Sequence, residues 1–168
     1  MTGVQTCALP ISQAINAEKL EALAGRVSTF EAEVSGDFPA HAYPTDEQLE
    51  VKTGAQVMFV KNDPSPEKQY YNGKIGQVTR IGGDEIVVQC PGDREPIVVT
   101  TVDWTNVKYS VDEESKEVTE DVVGTFTQFP LRLAWAITIH KSQGLTFERV
   151  ILDAQAAFAH GQVYVALS

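Results

Sequence analysis

The chain has 168 residues, 43% of them apolar, and a formal net charge of −10 from 13 basic and 23 acidic side chains. That length suits one domain of ordinary size, the apolar share suits a globular protein, and no apolar run approaches a membrane span. The acidic balance argues against a general polyanion binder, and two cysteines, Cys7 and Cys90, exclude a disulfide framework and a cysteine-based zinc site.

Residues 1–11, Met1 to Ile11, lack the basic start and long apolar stretch of a secretory leader. They resemble the conceptual translation of a sequencing adapter joined to a reading frame. They are therefore expected to be an artefactual or disordered tag that packs on nothing. From Ser12 to Leu23 the pattern is helical: Ile15, Leu20 and Leu23 recur at near-helical spacing, Ser12 can cap the start and Gly25 ends it. Val27 to Val34 alternates weakly and reads as a strand. Gly36-Asp37-Phe38-Pro39 and Tyr43-Pro44-Thr45-Asp46 break regularity, and a short helical turn is expected through Leu49.

The middle of the chain is rich in short strands. Ala55 to Val60 is one, and Asn72-Gly73 is a turn leading into a second over Lys74 to Ile81. Gly82-Gly83-Asp84 turns into Glu85 to Cys90, and Pro91-Gly92-Asp93 turns into Pro96 to Val102. Trp104 to Val111 adds another strand. Strands this short, with turn signals this close together, suggest a small barrel. The acidic groups Asp112-Glu113-Glu114 and Glu120-Asp121 read as solvated loop surface. Val122 to Phe129 is a further strand, which Pro130 ends. Glu148 to Asp153 has the continuous apolar centre of a parallel-sheet strand, and a helix is expected to start near Gly161.

Between these elements lies the densest chemistry. Thr138, His140, Lys141, Ser142 and Gln143 put five hydrogen-bonding side chains directly behind an apolar run, and Gly144 lets the backbone turn sharply. One ammonium among hydroxyl, imidazole and amide groups suits a phosphate backbone better than an apolar ligand. The charge distribution agrees. Residues 131–168 carry Arg132, Lys141 and Arg149 against Glu148 and Asp153, a net +1, whereas the rest of the chain carries −11. No Gly-x-Ser-x-Gly elbow surrounds Ser142, and His41, His140 and His160 lack ligand spacing, so neither a hydrolase nucleophile nor a metal site is expected. Trp135 and Phe147 sit beside apolar neighbours and are assigned to the core, stacking on bases being the other use of such rings.

The string Thr-x-His-Lys-Ser-Gln-Gly over 138–144 resembles the fifth conserved motif of superfamily 1 helicases, in the form used by the Pif/RecD branch. Gly161 to Ser168 resembles the start of the sixth motif, which in that family continues with an arginine. Tyr71-Asn72-Gly73-Lys74-Ile75-Gly76, with Asn62-Asp63, resembles the small Src-homology-like barrel inserted in that family's second RecA-like domain. The resemblance spans residues 13–168 and is densest over 54–78 and 122–168.

It implies an α/β fold, a partial RecA-like domain over 12–50 and 122–168 interrupted by a small β-barrel over 51–121. It implies a parent enzyme that moves 5′ to 3′ along single-stranded DNA using ATP and Mg, with this chain its C-terminal portion. By the same resemblance Thr138, His140, Lys141 and Ser142 contact single-stranded DNA, and Gln143, Gly144 and Thr146 border the nucleotide cleft. The family often has Glu at the position of Thr146. The phosphate-cradling Gly-x-x-x-x-Gly-Lys-Ser/Thr loop has no match here, since Gly73-Lys74 is followed by Ile75 and preceded at the fifth position by Lys68. The chain alone is thus expected to hold no catalytic residue, bind no cofactor, lack ATPase activity and need the family's first RecA-like domain as partner. A soluble, cytoplasmic setting without membrane contact is expected. The alternative is a non-catalytic β-barrel module that binds nucleic acid or a protein partner.

Overall fold

A computed structural model describes residues 4–7, 9–111, 118–138 and 150–152. It is an α/β arrangement in which one small parallel sheet adjoins several antiparallel ones. The parallel sheet has the order β12-β1-β13, from β1 (Val4–Cys7), β12 (Ala136–Thr138) and β13 (Val150–Leu152). The helix α1 (Leu9–Ala22) packs against β12 and β1.

The expectation that residues 1–11 pack on nothing is overturned. Val4–Cys7 is the central strand of the parallel sheet, with Gln5 opposite Ala136 on one side and Ile151 on the other. The helix also begins at Leu9, three residues before Ser12. Pro10 is tolerated there because the first helical turn has no use for its missing N–H. Ser12 is accordingly a buried helix residue. Past the helix, Gly25 takes the left-handed conformation at φ +101°. Lys52 closes the helix end: its buried side chain donates to the carbonyls of Leu23 at 2.8 Å and Glu21 at 3.3 Å. A cation is favourable at that end because the last carbonyls carry unpaired negative charge.

The segment read as one strand over 27–34 is two, β2 (Ser28–Glu31) and β3 (Glu33–Gly36). They separate because they serve different partners. β2 pairs with β4 (Gln48–Val51), and β3 pairs with β10 (Val118–Gln128). The helical turn expected through Leu49 is instead strand β4, whose alternate residues Leu49 and Val51 are buried. Period-two burial is the mark of a half-covered strand. A single turn of 3-10 helix, Ala40–Ala42, precedes it.

The main core lies against a five-stranded antiparallel sheet of order β11-β5-β6-β7-β8. Its strands are β5 (Gln56–Phe59), β6 (Ile75–Ile81), β7 (Ile86–Gln89), β8 (Ile97–Val99) and β11 (Leu131–Leu133). The expected turns join them: Gly73 and Gly92 have φ of +96° and +84°, and the Gly82 N–H donates to the Glu85 carbonyl at 2.8 Å. The sheet takes β11 from beyond residue 121, and its core takes Leu49 from before residue 51. Val57, Phe59, Val78, Ile86, Val88 and Leu131 fill that core, and Trp135 packs against it as expected. A long hairpin, β9 (Val102–Val111) with β10, forms a separate sheet with β3. Glu120 and Asp121 are exposed as expected, but they belong to β10 and not to a loop.

One buried carboxylate shows how a loop is fixed here. The Asp63 carboxylate accepts the N–H groups of Ser65 and Gln69, each at 2.8 Å. Burial pushes its pKa up, but those hydrogen bonds and the Lys68 ammonium outweigh burial and hold it below the ordinary value. Cys90 is buried, and its pKa is pushed up to about 11 mainly by desolvation. At pH 8 its thiolate fraction is then about one in a thousand. With Cys7→Ser removing the other thiol, the folded chain should react with a thiol reagent far more slowly than the chain in denaturant. Equal rates would show that Cys90 is not enclosed.

Candidate nucleic-acid interface

The local sequence explains how the polar motif is delivered. Ala136 and Ile137 are buried apolar residues that hold β12 in the sheet, and Thr138 ends the strand with its side chain also buried. Because β1, β12 and β13 are parallel, Cys7, Thr138 and Leu152 bring their carboxyl ends to one edge. Loops that bind ligands in parallel α/β sheets leave from that edge, where the chain is free of the ladder. Thr138 is the one predicted site residue whose position is described. His140, Lys141, Ser142, Gln143, Gly144 and Thr146 lie outside the described residues.

Thr138 borders a cleft of about 370 Å³ between α1, β4 and the chain from β11 to β12. Asn16, Asp46, Glu50 and Arg132 also line it. Arg132 is largely buried, with a guanidinium nitrogen 3.5 Å from the Asp46 carboxylate and a 3.4 Å donation to the Pro44 carbonyl. The cleft therefore carries both signs of charge. Among the described residues no group of three His, Cys, Asp or Glu side chains gathers as a metal site, and no helix is long and apolar enough to cross a membrane.

Sequence reasoning missed the side chains that hold this segment. Asn16 on α1 donates to the Ala136 carbonyl at 2.8 Å and to the Leu133 carbonyl at 3.4 Å, and its own carbonyl accepts the Ala136 N–H at 2.9 Å. Gln56 donates to the Ala134 carbonyl at 2.7 Å, and its backbone carbonyl accepts the Ala134 N–H at 3.0 Å. Thr45 donates to the Leu131 carbonyl at 2.9 Å. Upstream, buried Gln128 donates to the carbonyls of Phe30 and Glu47 and accepts the Phe129 N–H. Only Gln56 and Gln128 left a trace in the sequence, as amides interrupting apolar strand patterns. Asn16 on a helix leaves none.

No protein-family model matches the chain. It is 34% identical over 123 residues to the ATP-dependent DNA helicase Pif1 of Campylobacter jejuni, covering 73% of this chain and 27% of that protein. The chain spans about a quarter of the length of the curated relatives it matches. The structure of Bacteroides Pif1 in complex with ADP-AlF4 superimposes with a TM-score of 0.87 at 37% identity, covering 98% of this chain and 37% of that one. The same Bacteroides helicase bound to single-stranded DNA gives a TM-score of 0.79 at 37% identity over the same shares. Over the stretch it spans, the chain belongs to the Pif1 family of DNA helicases.

Proposed function

We propose that this chain is part of the second RecA-like domain of an ATP-dependent DNA helicase. In this reading it supplies one wall of a single-stranded DNA channel through Thr138, His140, Lys141 and Ser142, and one face of the nucleotide cleft through Gln143, Gly144 and Thr146. The observation that carries it is the delivery of the Thr138 motif at the carboxyl edge of the parallel sheet. In this reading residues 51–121 are the family's small barrel, inserted between the two parts of the RecA-like domain, with β11 from the second part pairing onto its strand β5.

The chemistry assigned to these residues is grip and release of a polyanion. Lys141 offers a point charge with three donors, and the hydroxyls of Thr138 and Ser142 add neutral donors, so contacts to phosphates exchange without reading bases. Bound ATP and its Mg supply the energy of domain closure in such enzymes. The sequence has no phosphate-cradling loop to hold them, so hydrolysis belongs in this reading to a first RecA-like domain acting with it.

Titrating the 168-residue chain with fluorescein-labelled oligothymidylate at several salt concentrations tests the reading. Lys141→Ala should weaken binding and reduce the log–log salt slope by about 0.7, the value for one lost contact to a single strand. An unchanged slope would leave Lys141 as an ordinary surface charge.

A further inference from the structure

Among the described residues the parallel sheet leaves β12 at its edge, with β1 on one side and no described strand on the other. A slip of one residue in β12 would carry Thr138 about 3.3 Å along the strand and turn its side chain to the opposite face. The side of β12 without a described strand partner is where Asn16 acts. Its carboxamide takes the Ala136 N–H and returns an N–H to the Ala136 carbonyl, the two bonds a neighbouring peptide would make. The partners are 120 residues apart in sequence, so the contact ties α1 to the strand two residues before Thr138.

We propose that Asn16 is a positioning residue for the DNA-contacting motif: it bonds Ala136 as a neighbouring strand would and sets the register at which β12 presents Thr138. This rests on the assignment of residues 138–142 to single-strand contacts. Asn16 itself touches no nucleic acid in this reading. The role needs a side chain that both donates and accepts in one plane, which an amide supplies. A carboxylate lacks the donor, and alanine lacks both groups.

The test compares Asn16→Ala and Asn16→Asp with Thr45→Val in the 168-residue chain. Thr45→Val removes a buried hydrogen bond to the same run of chain, at Leu131, but further from the motif. Affinity for labelled oligothymidylate is read at a temperature where circular dichroism shows every variant folded. Both Asn16 variants should bind about five- to tenfold more weakly, the equivalent of one net hydrogen bond. Thr45→Val should lose comparable thermal stability while its affinity stays within about twofold, because additivity holds for a bond that does not reach the motif.

Acidification supplies a second readout. An Asp at position 16 would face two carbonyls, of Leu133 and Ala136, which raise its pKa, against the one N–H of Ala136, which lowers it, and the protonated acid regains a donor. Asn16→Asp should therefore recover affinity relative to the unaltered chain as pH falls from about 8 to about 5.5. This variant also carries the test if Asn16→Ala does not fold. Equal weakening by Thr45→Val, or Asn16 variants that bind like the unaltered chain, would overturn the proposal alone. An unaltered chain that does not bind at all would remove the DNA-contact reading and this inference with it.

Discussion

Phe59→Ala should lower the unfolding free energy by about 3–5 kcal/mol, the range for emptying the site of a fully buried aromatic ring. Phe59 has no solvent exposure, and its ring stacks on Tyr70 with centroids 4.2 Å apart. Its backbone is fixed as well: the N–H donates to the Lys74 carbonyl at 2.9 Å, and the carbonyl accepts the Gly73 N–H at 2.8 Å. The surroundings can therefore close only partly on the vacated space. Tyr70 lies in the loop that Asp63 organises, so losing the ring also loosens the connection between β5 and β6. Phe59→Leu keeps most of the volume and should cost under about 1.5 kcal/mol. Urea unfolding followed by circular dichroism decides it. A loss below about 1 kcal/mol for the alanine variant would mean that this ring is not the centre of the core.

What was legible in the sequence was what local signals carry. β5, β6 and β7 were read to within a residue or two because apolar runs are bounded by Asn72-Gly73 and Gly82-Gly83, and both the strand and the turn are decided by residues adjacent in the chain. Parallel pairing of β13 followed from its unbroken apolar centre. The misses were decided at a distance. Gln48–Val51 alternates for only four residues, too few to separate strand from turn, and pairing with β2 settled it. Glu120 and Asp121 are poor strand formers, yet a partner strand ten residues long carries them into β10. Residues 4–7 have the composition of an unrelated tag, and the gap between β12 and β13 makes a strand of them. The motif at 138–144 was legible through its wording. The amides that hold it were not, because Asn16 and Gln56 are defined as clamps only by carbonyls far along the chain.

The second large effect belongs to the crossing of β3 and β10, where Gly36 lies opposite Gly124. A Cβ on Gly124 would sit 2.4 Å from the Asp37 carbonyl oxygen and 2.5 Å from its carbon. Those atoms are backbone and cannot step aside. The Asp37 N–H donates to the Val123 carbonyl at 2.8 Å, and the Asp37 carbonyl accepts from Asn106 at 2.8 Å. Gly36 is constrained twice over, by a Cβ position 2.3 Å from the Val123 oxygen and by a φ of +64° that L side chains rarely adopt. The irregularity between Val122 and Gly124 is what lets Val123 turn its carbonyl toward Asp37. Gly124→Ala should therefore destabilise by about 2–3 kcal/mol, the upper part of the overpacking range. Gly36→Ala should cost about as much, through strain of roughly 1–2 kcal/mol plus the contact. The double variant should fall short of the sum, since the first substitution already separates the two strands. Gly83→Ala is the control: nothing lies within 4 Å of its Cβ position, so its effect should stay within about 0.5 kcal/mol. The consequence reaches the motif, because β10 runs through Gln128 into β11 and β12. Amide hydrogen exchange in Gly124→Ala should accelerate along β3 and β10 before it does in β5 and β6. Protection retained along β10 would show that the two glycines are a convenience of sequence and not a requirement of the crossing.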